Sequence, residues 1–141
     1  MIEPRGVHPR GILDTSVLIL IDRIPSAEIL PRVPMITAVT LAELSVGPLV
    51  AGSDVERARR VAHLQRVEAT FNPLPFDVDA ARAFGGVAAS LRQAGRKVAS
   101  RRKDAMIAAI ALAKDLPVYT CDGRDFEGID GLEVVSVPVP A

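Results

Sequence analysis

The sequence predicts a three-layer α/β/α domain around a mostly parallel central sheet. Three observations lead there. Short apolar segments of strand length recur without polar alternation, as strands covered on both faces do. Segments of helical length separate them. The apolar share is 49% while aromatics reach only 4% and Trp is absent, so packing falls to Ala, Val, Leu and Ile. That mixture suits layered α/β packing better than an aromatic-rich β-sandwich.

A chain of 141 residues suits one domain with one substantial core. Residues 1–10 read as a flexible leader and 11–141 as a single domain. Gly11 to Leu13 is the first strand, with Thr15 and Ser16 expected to cap the helix that follows and Pro25 to stop it. Ser26 is expected to cap a short turn over Ala27 to Leu30. Met35 to Thr37 is the second strand, and Thr40 is expected to cap a helix from Leu41 to about Val46, broken by Gly47-Pro48. Ser53-Asp54 opens a long helix to about Ala69, with Val55, Ala58, Val61, Ala62 and Leu64 facing inward and Arg57, Arg59, Arg60 and Arg66 facing water.

Leu74 to Phe76 reads as a short edge strand between prolines. Asp77 or Asp79 caps a helix to about Ala94, ended by Gly95. Gly85-Gly86 inside it costs about 1 kcal/mol each against Ala, which predicts close packing there. Lys103 or Asp104 begins an Ala-rich helix to about Lys114. Pro117 to Thr120 is a strand, Asp122 to Phe126 a loop or single helical turn, and Leu132 to Val137 the last strand.

Net charge is zero, so composition gives no global signal for nucleic acid. Local charge is uneven. Arg92, Arg96, Lys97, Arg101, Arg102 and Lys103 form a run without an acid, and five acids lie between Asp122 and Glu133 against Arg124 alone. Cys121 is the only cysteine, which fits a reducing compartment. The first residues hold no apolar core of a signal peptide, and no apolar run is long enough to span a bilayer, so the expectation is a soluble cytoplasmic protein without a membrane partner.

Parallel α/β sheets place functional groups just beyond the carboxyl ends of their strands. Asp14 follows the first strand, and Asp122 follows the strand ending at Thr120. Asp104 opens a helix, and Glu43 lies one turn inside another. Taken singly, each has a plainer role: helix cap, surface residue, dipole partner or turn residue. Taken together, four carboxylates from four segments repel one another unless a cation sits among them. Hard oxygen donors select Mg2+ or Mn2+, ions that activate water and stabilise charge at a phosphoryl group.

The residues that carry this pattern are Ile12-Leu13-Asp14-Thr15-Ser16, Thr40-Leu41-Ala42-Glu43-Leu44, Lys103-Asp104-Ala105-Met106-Ile107-Ala108-Ala109, and Thr120-Cys121-Asp122-Gly123-Arg124-Asp125-Phe126. In this order and spacing, over Gly11 to about Val137, the chain resembles the PIN-domain ribonucleases, specifically the VapC-type toxins of bacterial toxin–antitoxin pairs. The resemblance implies a PIN-like sheet flanked by helices, a homodimer, and one or two Mg2+ or Mn2+ ions held by the catalytic acids Asp14, Glu43, Asp104 and Asp122. It implies endonucleolytic cleavage of RNA by metal-activated water, and inhibition by a cognate antitoxin in a hetero-oligomer. Asp125 fits a further position near the metal, and Cys121-Asp122-Gly123 departs from the family pattern, so Asp122 and Asp125 compete for the fourth ligand. Thr15, Ser16 and Thr120 would stand behind the carboxylates or touch metal-bound water. The basic residues Arg96, Lys97, Arg101, Arg102 and Lys103 would track the RNA backbone, since phosphate contacts position without specifying sequence.

Three other readings compete. A receiver-type phosphoacceptor domain needs an acceptor Asp after a central strand and a late Lys; Met35 to Thr37 carries no Asp, and no Lys follows Tyr119. A non-catalytic RNA- or protein-binding module would keep the core and lose acids that are all present here. A DNA nuclease of related architecture needs more helical elements than this length accommodates. His8 and His63 read as structural.

Overall fold

The computed structural model describes residues 8–25 and 27–140. Its four strands are β1 (Arg10–Leu13), β2 (Val33–Met35), β3 (Val118–Thr120) and β4 (Val134–Ser136), all parallel and ordered β2-β1-β3-β4. Five α-helices flank them: α1 (Thr15–Ile19), α2 (Ala38–Val46), α3 (Asp54–Thr70), α4 (Val78–Gln93) and α5 (Arg102–Lys114). The three-layer expectation holds.

Alternation along the strands divides the core into two layers. Ile12 and Val118 face one side, where Ala80, Val87 and Leu91 of α4 pack with Ala105, Ala108 and Ala109 of α5. Leu13 and Tyr119 face the other, with Val17 and Leu18 of α1 and Val67 of α3. Small side chains on α5 let its backbone approach both the sheet and α4, and its middle is buried at Ala105 and from Ile107 to Ala111. Gly11 is fixed by a similar approach: a Cβ there would stand 2.6 Å from the Tyr119 ring. Tyr119 is itself fully buried, and its hydroxyl accepts from the His8 N–H at 3.4 Å.

Several local expectations shift. His8 to Arg10, assigned to the leader, are tied into the sheet edge: Arg32 N–H donates to His8 O and Val33 N–H to Pro9 O, and Arg10 opens β1. The remainder of the leader and the expected Ser26 cap lie outside the described residues. Asp14, not Thr15 or Ser16, caps α1, because its extended backbone aims a side-chain oxygen at Val17 N–H. Thr37, not Thr40, caps α2, which starts three residues earlier than expected, and β2 correspondingly ends at Met35. The predicted strand at Leu74 to Phe76 reduces to one bridge, Thr37 to Leu74.

On α3 the inward face runs through Leu64 and Val67, while Val55 is 65% exposed. The first half of the helix is held to the Gly47–Val50 turn by polar side chains, Arg57 donating to Pro48 O and Arg60 to Gly47 O, so its apolar residues are left exposed. Gly85 and Gly86 are exposed, and a Cβ on either would meet nothing within 4 Å; the expected close packing is absent within this chain. Ser53, Asp77 and Gly95 stand where expected, the last with φ +75° beyond the end of α4.

Candidate active site

Topology places the site. β1 has β2 on one side and β3 on the other, so the chain leaves the sheet in opposite directions on either side of the β1–β3 boundary. In open parallel sheets such a boundary leaves a crevice beyond the strand carboxyl ends. Asp14 stands at the end of β1, where its N–H donates to Tyr119 O at 3.0 Å, and Thr120 ends β3.

Asp14 is only 3% exposed. Its Oδ1 accepts from Val17 N–H at 3.1 Å and from Ser16 Oγ at 2.6 Å. Ser16 Oγ in turn accepts the Cys121 N–H at 3.1 Å, so one hydroxyl ties the ends of β1 and β3 together. Burial pushes the Asp14 carboxyl above the usual carboxylate range. The hydrogen bonds from Ser16, Thr120 and Val17 oppose that rise, and the charge of Asp125 adds to it.

Glu43 arrives from α2, whose start is set by Thr40 N–H donating to Thr37 Oγ1 at 3.3 Å. Thr15 Oγ1 donates to Glu43 Oε1 at 3.0 Å and lies 3.1 Å from Thr40 Oγ1. Since the Thr15 proton goes to the carboxylate, Thr40 is the donor of the second bond. This short chain of hydroxyls holds α2 against α1 and sets the direction of Glu43.

Asp104 occupies the first turn of α5, where the helix dipole favours an anion. Its carboxyl is nevertheless pushed up to about 6, first by loss of water and then by the charges of Asp125, Asp14 and Glu43; Arg101 acts in the opposite direction. Because three other acids contribute to that rise, the four carboxylates lie within electrostatic reach of one another.

After β3 the two competing acids part. Asp122 Oδ1 accepts from Arg124 N–H and Nε at 3.1 and 3.0 Å, and Oδ2 from Arg124 Nη2 at 3.1 Å. These bonds hold its carboxyl below the usual range. Asp125, in the 3-10 turn Gly123–Phe126, has among the described residues only Arg101, at 4.0 Å, as an ion pair. The two side chains are about equally exposed, 40% and 41%, so partner and direction separate them, not burial. The groups that chiefly set Asp104 and Asp14 include Asp125 and not Asp122. The fold therefore brings together Asp14, Glu43, Asp104 and Asp125 and turns Asp122 to Arg124. Thr120 exchanges hydrogen bonds with the Asp122 backbone, accepting its N–H at 3.1 Å and donating to its carbonyl at 3.3 Å, which shapes the loop.

Arg101, Arg102 and Lys103 line a cleft of about 410 Å³ with Glu43 and Asp104. Arg101 also donates to Arg124 O at 3.2 Å and so braces the loop carrying Asp125. Arg96 is turned away, donating to Glu127 O at 3.1 Å, and Lys97 is exposed beside the cleft residues. A second cavity of about 730 Å³ opens on the other side of Glu43, between α1, α2 and α3, with Arg59, His63 and Arg66 on its rim. The sequence reads Arg59 and Arg66 as facing water and His63 as structural; their i, i+4, i+7 spacing on one face of α3 is the signal that groups them.

Among the described residues, no set of three or more His, Cys, Asp and Glu side chains is clustered tightly enough to hold a metal ion as it stands. The donor chemistry nonetheless fits a divalent cation: Asp14, Glu43, Asp104 and Asp125 offer hard oxygens only, and their mutual repulsion is what such an ion relieves. No helix among the described residues is long and apolar enough to cross a membrane.

Residues 11–132 match the PIN domain family. Ribonuclease VapC5 of Mycobacterium tuberculosis is 42% identical over 129 residues, covering 90% of this chain and 93% of that protein. Ribonuclease VapC4 of the same organism is 31% identical over 130 residues, covering 91% and 97%. Among solved structures, the crystal structure of VapBC-5 from M. tuberculosis, a member of the VapBC family of toxin–antitoxin systems, superposes with a TM-score of 0.78 at 41% identity, covering 92% of this chain and 99% of that one. The DNA-bound VapBC of Salmonella typhimurium gives 0.73 at 27% identity, covering 89% and 96%.

Proposed function

Because the chain belongs to the PIN-domain family, and within it to the VapC ribonucleases, we propose that it is a metal-dependent endoribonuclease and the toxin of a toxin–antitoxin pair. The observation that carries the reading is Asp104: a half-buried carboxyl raised to about 6 first by loss of water and then by three acids from three other segments. A fold gains nothing in stability from gathering like charges in a crevice, so the cluster answers to a ligand.

Asp14, Glu43, Asp104 and Asp125 would hold Mg2+ or Mn2+. A bound ion would supply an activated water and neutralise charge on the scissile phosphoryl group. The chain's own residues do the rest. Ser16 orients Asp14, Thr15 orients Glu43, and Arg101 holds the loop of Asp125 against the start of α5. Arg102 and Lys103, exposed on the cleft, attract the RNA backbone.

The reading extends to partners. The solved relatives named as VapBC support a cognate antitoxin for this chain. The homodimer, and the hetero-oligomer built on it, extend the proposal. A free thiol at Cys121 and an RNA substrate fit the cytoplasm.

The test is cleavage of single-stranded RNA by the purified chain. Wild type should cut with Mg2+ or Mn2+ and stop with EDTA, and Asp14→Asn should not cut. Equal rates for Asp14→Asn, or indifference to EDTA, would sink the proposal. Induced expression in a bacterial host should arrest growth, and Asp104→Asn should relieve the arrest.

A further inference from the structure

Neighbouring acids repel one another until a cation comes between them, so the chain's own cations beside the cluster matter. Arg101, Arg102 and Lys103 line the cleft with Glu43 and Asp104. Arg102 and Lys103 are exposed, and water and salt screen their charge. Arg101 is different. Its side chain is only 26% exposed, and its Nη1 stands 4.0 Å from Asp125 Oδ1. It sits just before α5, whose first turn carries Asp104. We propose that Arg101 is a built-in cation of the carboxylate cluster: it offsets the acids before a divalent ion binds, then competes with that ion and so sets how much of it the site requires. This rests on the metal-dependent ribonuclease reading and adds a control on its metal occupancy.

The fold keeps this guanidinium beside the acids without giving it to one of them. Nη1 donates to the carbonyl of Arg124 at 3.2 Å, so a backbone group fixes the side chain. Arg124 itself shows the contrast. Its fork closes on Asp122 through Nε and Nη2 at 3.0 and 3.1 Å, a geometry that commits both partners. At 4.0 Å, Arg101 and Asp125 attract one another from beyond hydrogen-bond reach. The charge of Arg101 also reaches Asp104, where it is the one cation among the dominant influences, against Asp125, Asp14 and Glu43. An arginine keeps its charge at any working pH, so it cannot yield to an incoming ion by losing a proton. Their mutual repulsion scales with the double charge of the ion. With such a neighbour, the ion is held less tightly than Asp14, Glu43, Asp104 and Asp125 alone would hold it.

Competition and simple bracing predict opposite signs. A side chain that only braced the loop of Asp125 would, once removed, loosen a ligand and weaken metal binding. A competitor, once removed, strengthens it. The purified chain, freed of metal with EDTA and dialysed, is titrated with Mn2+, and the free ion is followed by its electron paramagnetic resonance signal. Asp104→Asn should remove the saturable binding, which locates it in the cluster. Arg101→Gln should lower the Kd for Mn2+ roughly tenfold. Arg101→Lys keeps the charge and should stay within about threefold of wild type. Arg82→Gln is the charge control. Arg82 is exposed near the start of α4, and Asp77, which caps that start, pairs at 3.5 Å with Lys114, at the opposite end of α5 from Asp104.

A second measurement reads the same competition from the protein's side. In EDTA, Arg101→Gln should melt below wild type, and Mn2+ should raise its thermal midpoint by more than it raises that of wild type. An Arg101→Gln Kd equal to that of Arg82→Gln, or weaker than wild type, overturns the proposal and leaves Arg101 as a brace, with the metal reading intact. A wild type with no saturable Mn2+ binding removes the metal reading itself and the competition with it.

Discussion

Asp104 and Asp122 flank the same crevice, and the fold treats them in opposite ways. At Asp104 it withdraws water, sets three other acids nearby and leaves Arg101 as the one opposing charge among the dominant influences. At Asp122 it leaves the carboxylate half-exposed and clamps it with three hydrogen bonds from Arg124 two residues on. The first arrangement raises a carboxyl's affinity for any cation, proton or metal. The second satisfies a carboxylate locally and leaves it little to offer a ligand. Function is to be sought where the fold leaves charge uncompensated, not where acids are most numerous in the sequence.

The sharpest break of that contrast is at Asp104. Asp104→Asn should lower the RNA cleavage rate by on the order of 10³-fold, about 4 kcal/mol of transition-state stabilisation. It should also abolish the rise in thermal midpoint that Mn2+ gives the wild type. Next comes the choice of fourth ligand. Asp125→Asn should cost roughly 10–100-fold in cleavage, whereas Asp122→Asn should stay within about threefold, since Asn still accepts from Arg124 N–H. The reverse order would move the site onto Asp122 and undo the comparison. A smaller effect is expected at Ser16. Ser16→Ala frees Asp14 and leaves the Cys121 N–H without its acceptor, so cleavage should drop by about tenfold and unfolding stability by about 1–2 kcal/mol. Urea unfolding measures the second figure independently of the first.

How much of this was legible beforehand varies by element. Gly11 to Leu13 and Val118–Thr120 were readable because burial on both faces leaves no polar alternation, whereas the exposed Arg10 that opens β1 was assigned to the leader. Asp14, Glu43 and Asp104 were readable because strand ends and helix starts are where α/β sheets carry chemistry. The caps were displaced: Asp14 and Thr37 cap, while Thr15 and Thr40, the hydroxyls expected there, bond each other and Glu43. One hydroxyl serves a helix start or a distant carboxylate equally well, and only tertiary structure decides which. The separation of Asp122 from Asp125 was illegible for a similar reason. It depends on Arg124 folding back over two residues, and in the sequence that shows only as a basic residue among acids. Gly85-Gly86 promised a close approach that this chain does not make. The groove beside α3 was missed because its arginines read as a water-facing stripe until α1 and α2 closed over one end.

The smallest effect expected is also the one that tests the electrostatics without any metal or RNA. A carboxyl raised in the folded state holds its proton more tightly there than in the unfolded chain. It therefore contributes stability fully below its unfolded value of 3.8, and that contribution is lost as pH rises through the folded value of about 6. Asp14 is shifted in the same direction and adds to the trend. Asp122 is shifted the other way: its contribution is present above 3.8 and fades only as pH falls below that. In EDTA, between pH 7.5 and 4.5, the wild type should gain about 1–2 kcal/mol of unfolding stability from Asp104, a figure reduced for solvent screening because the group is only half-buried. Asp104→Asn should be more stable than wild type at pH 7.5 and should lose that part of the pH dependence, whereas Asp122→Asn should follow the wild-type curve over this window. A wild type whose stability is flat or falls on acidification here would mean that the acids around Asp104 do not act on one another. The uncompensated charge at that end of the sheet would then be gone as a reason to expect a cation.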